Sequence, residues 1–169
     1  MKSKKIKVTI LVLITAVSSV GIFLMFYGVP INISSNVTAF EFLPDETNNG
    51  EEISVYIDGV YKNPVLGKST FSGSIQIDKY SLTESYEMFD LSFESPSFVN
   101  MATLSYTSVE EGKLMLEMFG NVWLSDDVFD RFIIILNENT QLGIAQGTTI
   151  AVPAQNYSEA IRLFEKINQ

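Results

Sequence analysis

The stretch ISVYIDGVY at residues 53–61 alternates apolar residues with polar or small ones, and TFSGSIQI at residues 70–77 repeats the pattern after a short break. Neighbouring side chains of a β-strand point to opposite faces, so a period of two buries one face and leaves the other in water. The break at 62–69 contains proline and glycine, which interrupt strands. The two stretches therefore predict paired antiparallel strands and a mainly β (α+β) fold.

The same texture continues through the rest of the chain and predicts about eight strands in all. Their ranges are 53–61, 70–77, 88–93, 101–107, 113–119, 122–125, 131–137 and 148–152. Glu110-Glu111-Gly112 is typical of a hairpin closure, and Gly120-Asn121 of a tight turn with glycine first. We expect a sandwich- or barrel-like meander whose core contains Phe71, Ile75, Ile77, Leu91, Phe93, Leu104, Tyr106, Leu114, Leu116, Trp123, Phe132, Ile134, Leu136 and Ile150.

The C-terminal end changes from strand texture to helix texture. Asn156 and Glu159 have the spacing of a capping box, which satisfies the free N–H groups at a helix start. The apolar residues that follow recur on one helical face, as in an amphipathic helix. We expect this helix to close the fold by packing across the sheet. The alternative, a helix lying on a membrane surface, fits less well because it has only two basic residues.

The N-terminal end contains a membrane-spanning pattern. Residues 8–27, VTILVLITAVSSVGIFLMFY, include no charged residue, and 20 helical residues reach about 30 Å, the thickness of a bilayer core. Four lysines precede this stretch within residues 1–7, so the positive-inside rule predicts a cytoplasmic tail and an extracytoplasmic remainder. The alternative is a cleaved signal peptide, because 16–18 (Ala-Val-Ser) has the small residues of a cleavage site.

Residues 28–52 separate the predicted span from the predicted strands. They are rich in Asn, Ser, Thr and Glu, include two prolines and have no helical period, which favours an extracytoplasmic linker. Within them, residues 39–43 (AFEFL) fit a short strand that docks on the domain edge. The expected domain organisation is therefore a tail at 1–7, a span at 8–27, a linker at 28–52 and a strand-rich domain at 53–169.

The composition excludes several classes of function. After Gly28 the chain has 20 carboxylates against 7 Lys and Arg, a net charge of −13, which disfavours nucleic acid and anionic lipid as partners. Without cysteine there is no disulfide, thiol nucleophile or acylated-cysteine anchor. Without histidine the commonest general base and zinc ligand are missing. We expect no cofactor and no metal, and the oligomeric state stays open.

A resemblance adds to this interpretation. The stretch 56–61 (YIDGVY) followed by 71–77 (FSGSIQI), with a lysine-rich start, one span and Pro153 before a closing helix, resembles small membrane-anchored extracytoplasmic proteins of low-GC Gram-positive bacteria. The resemblance implies a compartment and a shared fold. It implies no activity and no functional residue.

Paired carboxylates are the remaining catalytic equipment. The pairs are Asp126-Asp127 with Asp130, and Glu110-Glu111, while Asp58 stands alone on a predicted strand. Glycoside cleavage needs two carboxyl groups about 5–10 Å apart, one of them kept protonated. Aspartates between strands are more simply explained as turn formers, so we assign no catalytic residue.

Three other candidate sites have simpler explanations. Residues 45–50 (DETNNG) look like the first half of a calcium loop, but position twelve of that frame is Tyr56 rather than a glutamate. Lys68-Ser69 is the one adjacent nucleophile pair to consider, and adjacent strand residues point to opposite faces. The lone Trp123 is a candidate stacking platform for a ligand, although a core or hairpin position is favoured.

These observations favour a membrane-anchored extracytoplasmic binding, sensing or envelope-interaction module without catalysis. Its expected partners are the bilayer, through residues 8–27, and an envelope or membrane protein. The first alternative is a carboxylate-dependent hydrolase of envelope glycans. The second is an accessory subunit of a membrane complex, whose small residues between Thr15 and Gly21 let two spans approach.

Overall fold

The computed structural model describes residues 2–46, 49–93, 100–110, 112–126 and 128–167. Over these residues, three helices and nine strands form. In chain order they are α1 Lys2–Tyr27, β1 Pro30–Phe42, β2 Gly50–Lys62, β3 Ser69–Ile77, α2 Leu82–Ser85, β4 Glu87–Met88, β5 Leu91–Phe93, β6 Met101–Glu110, β7 Lys113–Leu124, β8 Phe132–Leu136, β9 Thr149–Val152 and α3 Tyr157–Ile167.

The nine strands pair antiparallel in one curled sheet with the order β4-β6-β7-β8-β9-β1-β2-β3-β5. The sheet curls far enough for β5, at one edge, to contact β6, which lies next to the other edge. The result is a half-barrel whose inner face holds the main core. The expected mainly β fold with a closing helix is confirmed, and the architecture is closer to a barrel than to a sandwich.

The linker prediction for residues 28–52 is wrong over most of its length. β1 occupies 13 of these residues and pairs with β2 from Pro30↔Lys62 to Phe42↔Gly50. The last three residues of β1, Phe40 to Phe42, also pair with β9, so the predicted edge strand lies inside the sheet. β1 looks like a linker in sequence because its inner positions include Ser35 and Glu41, while the outer positions of its first part are Asn32, Ser34 and Asn36, which face water.

The predicted turn at Gly120-Asn121 is also wrong, because β7 runs through it as one strand. The register between β6 and β7 shifts from Leu104↔Gly120 to Ser105↔Met118, which makes Phe119 the extra residue of a β-bulge. A Cβ at Gly120 would lie 2.5 Å from the Ile135 carbonyl oxygen. Glycine is therefore needed for the close approach of β8, not for a turn.

The other strand predictions are confirmed, with one division. The stretch predicted at 88–93 divides into β4 and β5, which lie at opposite edges of the sheet. The predicted hairpin closure after Glu110 is confirmed by the pair Glu110↔Lys113 and by Gly112 with φ of +76°.

The C-terminal helix α3 packs on the outer face of the sheet, against β1, β8 and β9, as expected. Asn156 caps its start: the Glu159 N–H donates to Asn156 Oδ1 at 3.1 Å, and the Glu159 side chain reaches back one residue further than in a standard capping box, where Oε2 accepts from the Gln155 N–H at 3.0 Å. Beneath it, the Phe42 ring meets the Tyr157 and Phe164 rings edge-on at 5.7 and 6.1 Å. This second cluster fixes the helix across the sheet.

The N-terminal helix α1 stands apart from the sheet. Ile10–Tyr27 is the one stretch, among the residues described, that is long and apolar enough to span a membrane, and none of it is buried. Gly28 ends the helix with φ of +67°, and its N–H donates to the Leu24 carbonyl at 2.9 Å. β1 begins at Pro30, so the helix leads almost directly into the sheet.

Candidate functional site

The sheet has two different ends, defined by the direction of β1. β1 leads away from α1, and neighbouring strands run antiparallel. The loop at 63–68 therefore lies at the near end, beside the C-terminus of α1. The β6–β7 turn, the start of α2 and the β8–β9 connection lie at the opposite end, called the far end below. Two candidate surfaces lie towards the far end.

The first candidate is a charged cluster on the inner face at the far end. Glu41 and Glu51 are cross-strand partners on β1 and β2, and the Lys79 ammonium donates hydrogen bonds to both carboxylates. The Tyr80 hydroxyl donates to Glu41 Oε2 at 2.7 Å, and Glu41 is only 8% exposed. The two carboxylates also border a cleft of about 320 Å³, which is lined by Glu41, Phe42, Leu43, Asn49, Gly50, Glu51, Gly143, Ala145 and Thr148.

Burial and charge act in opposite directions on Lys79. Partial burial by itself lowers the pKa of the Lys79 amine, but the hydrogen bonds and charges of Glu41 and Glu51 outweigh it, so the pKa is raised. Burial first, and then the bond to Glu41, raise the pKa of the Tyr80 hydroxyl. Both groups thus keep their protons and donate them to carboxylate oxygens. The cluster ties β1, β2 and the end of β3 together.

This geometry differs from that of a glycosidase. Such an enzyme needs one carboxylic acid that keeps its proton and gives it to the leaving group. Both oxygens of Glu41 accept hydrogen bonds, and Glu51 accepts from the same ammonium. Sequence reasoning missed this pair because Glu41 and Glu51 lie in the stretch interpreted as linker. The signal available was the Phe-Glu-Phe alternation at 40–42.

The carboxylates singled out in the sequence are not brought together in this way. Asp126 is exposed and accepts from Lys166 of α3 at 2.9 Å, which lowers the pKa of its carboxyl. Asp130 and Asp58 are exposed, and Asp58 lies on β2, which does not neighbour β7 in the sheet. Asp127 and Glu111 lie outside the described residues. No group of acidic side chains within the described ranges has the arrangement of a metal site.

The other candidates from the sequence do not form a site either. In the stretch at 45–50, residues 47 and 48 lie outside the described residues, and Asp45 and Glu46 are exposed. Ser69 is buried, and its hydroxyl donates to Asn63 Oδ1 at 2.7 Å. Trp123 packs in the cluster under α3, where its buried ring N–H has no hydrogen-bond partner in the described part of the chain.

The second candidate is an exposed apolar surface on the outer face of β6, β7 and the segment directly after β4, called the outer stripe. Its members are Phe89, Val109, Leu114, Leu116 and Met118, which are 49%, 73%, 70%, 58% and 58% exposed. The pairing places them side by side: Val109↔Leu114 form one row, and Ser105 links Phe89 to Met118 in another. Leu114 and Leu116 were expected in the core, so that prediction is wrong.

The β-bulge is the physical reason for this correction. Phe119 turns inward and is 2% exposed, while Met118 turns outward. Without the bulge residue the alternation of the whole hairpin would change face. On the far-end side of the bulge, β7 has no hydrogen-bonded neighbour in β8, because β8 pairs with β7 only from Gly120 to Leu124. The hairpin thus projects past the sheet and carries its apolar side chains outward.

The chain was also compared with known proteins. No protein-family model, no curated protein and no solved structure matches it. The outer stripe, the charged cluster and α1 are therefore the features from which a function can be inferred.

Proposed function

We propose that the chain is a single-pass membrane protein with a cytoplasmic N-terminus, and that its extracytoplasmic half-barrel is an interaction module. The outer stripe is the surface that binds a partner protein. The observation that carries the proposal is the stripe itself: four exposed apolar side chains lie on the adjacent strands β6 and β7, and Phe89, directly after β4, extends them sideways. Contiguous apolar surface of this kind is typical of interaction sites in soluble domains.

The anchor is supported by α1 and by its junction with the sheet. An exposed helix that is apolar all round is stable in lipid and unfavourable in water. The lysines at residues 2–7 favour a cytoplasmic start. Cleavage at 16–18 would leave an exposed apolar remnant at 19–27 attached to β1, so retention as a signal anchor is the better explanation.

The charge of the domain narrows the class of partner. The stripe adjoins Glu87 and Asp90, both exposed, and the only basic residue of the β6–β7 hairpin is Lys113. A partner with an apolar surface bordered by Lys or Arg complements this pattern. A second copy complements it less well, because the portion after Gly28 has a net charge of −13 and two such portions repel each other.

The charged cluster supports a module rather than the hydrolase alternative. Lys79 binds both carboxylates, so the two acidic side chains that line the cleft are already engaged as hydrogen-bond acceptors. A tied inner face gives the half-barrel a stable frame, and the recognition surface then lies outside it. A preorganised frame lowers the ordering cost of binding at an exposed apolar surface.

Site-specific photocrosslinking in the native membrane tests the proposal. A photoreactive residue at Leu116 or Val109 should give one adduct of defined mass, and the same residue at Tyr56, which is also exposed on a strand, should not. Met118→Asp in the Leu116 variant should abolish the adduct without unfolding the domain, because Met118 is exposed. Absence of an adduct at both stripe positions, or an adduct of twice the chain mass, would overturn the assignment of a partner protein.

Protease treatment of intact protoplasts tests the topology separately. Added protease should remove the half-barrel and leave a short fragment that contains residues 1–27. A C-terminus that stays protected until the membrane is broken would contradict the proposed orientation.

A further inference from the structure

The near end of the sheet has an apolar surface of its own. The loop between β2 and β3 reads KNPVLGK at residues 62–68. Its tip is apolar and uncovered: Val65 is 75% exposed and Leu66 49%. Val29 and Ile31, at the start of β1, are 60% and 49% exposed. All four side chains are thus about half exposed or more.

A hydrogen bond fixes the level of this loop along α1. The Leu66 N–H donates to the Met25 carbonyl at 2.8 Å. The backbone of the loop also approaches the helix end closely, since a Cβ at Gly28 would lie 2.8 Å from the Pro64 nitrogen. The loop is therefore packed against the last turn of α1 and not merely near it.

The hydrogen bond from Leu66 would stabilise the end of α1 inside a membrane, because it satisfies a helix carbonyl. The last carbonyls of a helix have no partner within the helix, and an unsatisfied carbonyl in hydrocarbon costs several kcal/mol. Met25 precedes the end of the apolar stretch Ile10–Tyr27 by two residues, which is about 3 Å along the helix axis. When Ile10–Tyr27 spans the bilayer, Leu66 lies at the hydrocarbon boundary.

The flanks of the loop suit the same position. Lys62 and Lys68 precede and follow the apolar tip, and both are exposed. They are two of only 7 basic residues after Gly28. Lysines beside an apolar insertion place their methylene stems in the boundary region and their ammonium groups among the headgroups. Because the rest of the domain is acidic, two lysines beside one apolar loop tip favour a contact of this loop with the membrane.

We propose that Val65 and Leu66 insert into the outer boundary of the bilayer and form a second membrane contact beside α1. The contact fixes the half-barrel in orientation, because two attachment points prevent free rotation about the helix end. The far end, with the outer stripe, is then directed away from the lipid. The inference depends on the anchor in the proposed function but not on the identity of a partner.

Nitroxide labels on the full-length chain in phosphatidylcholine vesicles test this contact. The chain has no cysteine, so Val65→Cys, Ile14→Cys and Gln146→Cys each give a single labelled site. Ile14 lies within the span and Gln146 is exposed at the far end. At positions 14 and 65, collisions with oxygen should exceed those with a water-soluble nickel complex severalfold. At position 146 the order should be reversed.

The three sites separate the possible failures. Position 65 behaving like 146, while 14 remains in lipid, would overturn the inserted loop and leave the anchor intact. Position 14 exposed to nickel would overturn both the anchor and the loop contact. A label at Leu66→Cys provides a second reading of the same loop. Protection of position 65 from oxygen and nickel alike would mean that a protein covers the loop, which also contradicts lipid insertion.

Discussion

Two apolar surfaces lie on the outer face of the same sheet and differ in how they are covered. Under α3, Phe42, Ile133 and Ala151 are at most 2% exposed. On the β6–β7 hairpin and the neighbouring Phe89, the outer stripe is 49–73% exposed. Both surfaces are built from large apolar side chains at alternate positions of strands. The difference is the presence of a helix over one of them.

The comparison indicates that the covering is specified locally. The α3 helix carries its own start signal at Asn156 and an apolar face that meets the Phe42 ring. The β6–β7 hairpin is followed by no such segment in the described chain. Burying one large apolar side chain contributes about 1.5–3 kcal/mol. Burial of the outer stripe against a partner would therefore contribute favourable free energy to association.

The largest expected effect comes from opening the covered surface. Phe42→Ala removes a ring that is 2% exposed and contacts both Tyr157 and Phe164. We expect a loss of about 3–5 kcal/mol in the free energy of unfolding, because the truncation leaves a cavity under α3. Urea unfolding of the detergent-solubilised chain, followed by circular dichroism, measures this loss.

Leu116→Ala is the matched control on the uncovered surface. Leu116 is 58% exposed, so the free energy of unfolding should change by about 0.5 kcal/mol or less. Equal losses for the two variants would mean that the outer stripe is buried within the protein, and the proposed interaction surface would be wrong.

The sequence predicts the fold where strands alternate cleanly and fails where side chains on both faces are polar. β2, β3 and α3 are recognised because their apolar positions are regular. β1 is missed because the inner positions 35 and 41 are Ser and Glu, so neither face is continuously apolar. The long-range pairing with β9 that places β1 inside the sheet leaves no local trace.

The candidate sites were harder to predict than the fold. Leu114 and Leu116 fit a core strand equally well, and only the bulge at Phe119 decides that they face outward. The charged cluster joins residues 38 positions apart in the chain. Charge complementarity over such a distance has no periodic signature, so Lys79 could not be assigned to Glu41 from one sequence.

The inner face offers a third kind of surface, covered but polar, and its disruption should have an intermediate effect. Tyr80 is 3% exposed and donates to Glu41. Tyr80→Phe should cost about 1.5–3 kcal/mol at pH 7, as expected for a lost bond to a charged group. Tyr56→Phe, at an exposed position, should leave the free energy of unfolding unchanged. Denaturant unfolding at pH 7 compares them.

The pH dependence of the same variants follows from the raised pKa values of Tyr80 and Lys79. Both groups keep their protons in the folded state above the ordinary pKa values of 10.0 and 10.5, where the unfolded chain loses them. Their contributions are complete below pH 10 and decrease as the pH rises further. For the buried Tyr80 the decrease is at most about 1.4 kcal/mol per pH unit, and for Lys79, whose side chain is 37% exposed, solvent screening makes it smaller. Between pH 10 and 11, the free energy of unfolding of Tyr80→Phe should fall less steeply than that of the wild type. A steeper fall would contradict the role assigned to the hydroxyl.

The smallest effect is expected at the exposed end of α3, where Lys166 binds Asp126 with both side chains about half exposed. Hydrogen bonding by Lys166 lowers the pKa of the Asp126 carboxyl below 3.8. Its contribution is therefore present above that value and decreases as the pH falls through the lowered pKa. Exposed pairs contribute little, and salt screens them. Asp126→Asn should thus unfold at the wild-type urea midpoint in 0.15 M salt.

A clear loss of stability in Asp126→Asn would change the comparison between the two outer surfaces. It would mean that α3 is held over the sheet by its charged end rather than by Phe42 and the rings around it. The packing of α3 on the sheet would then depend on ionic strength. In low salt, where charges about 30 Å apart still interact, the urea midpoints of Asp126→Asn and the wild type would differ more. Because the rings under α3 are already in contact at 5.7 and 6.1 Å, we expect the aromatic contacts to dominate and the two midpoints to coincide at both salt concentrations.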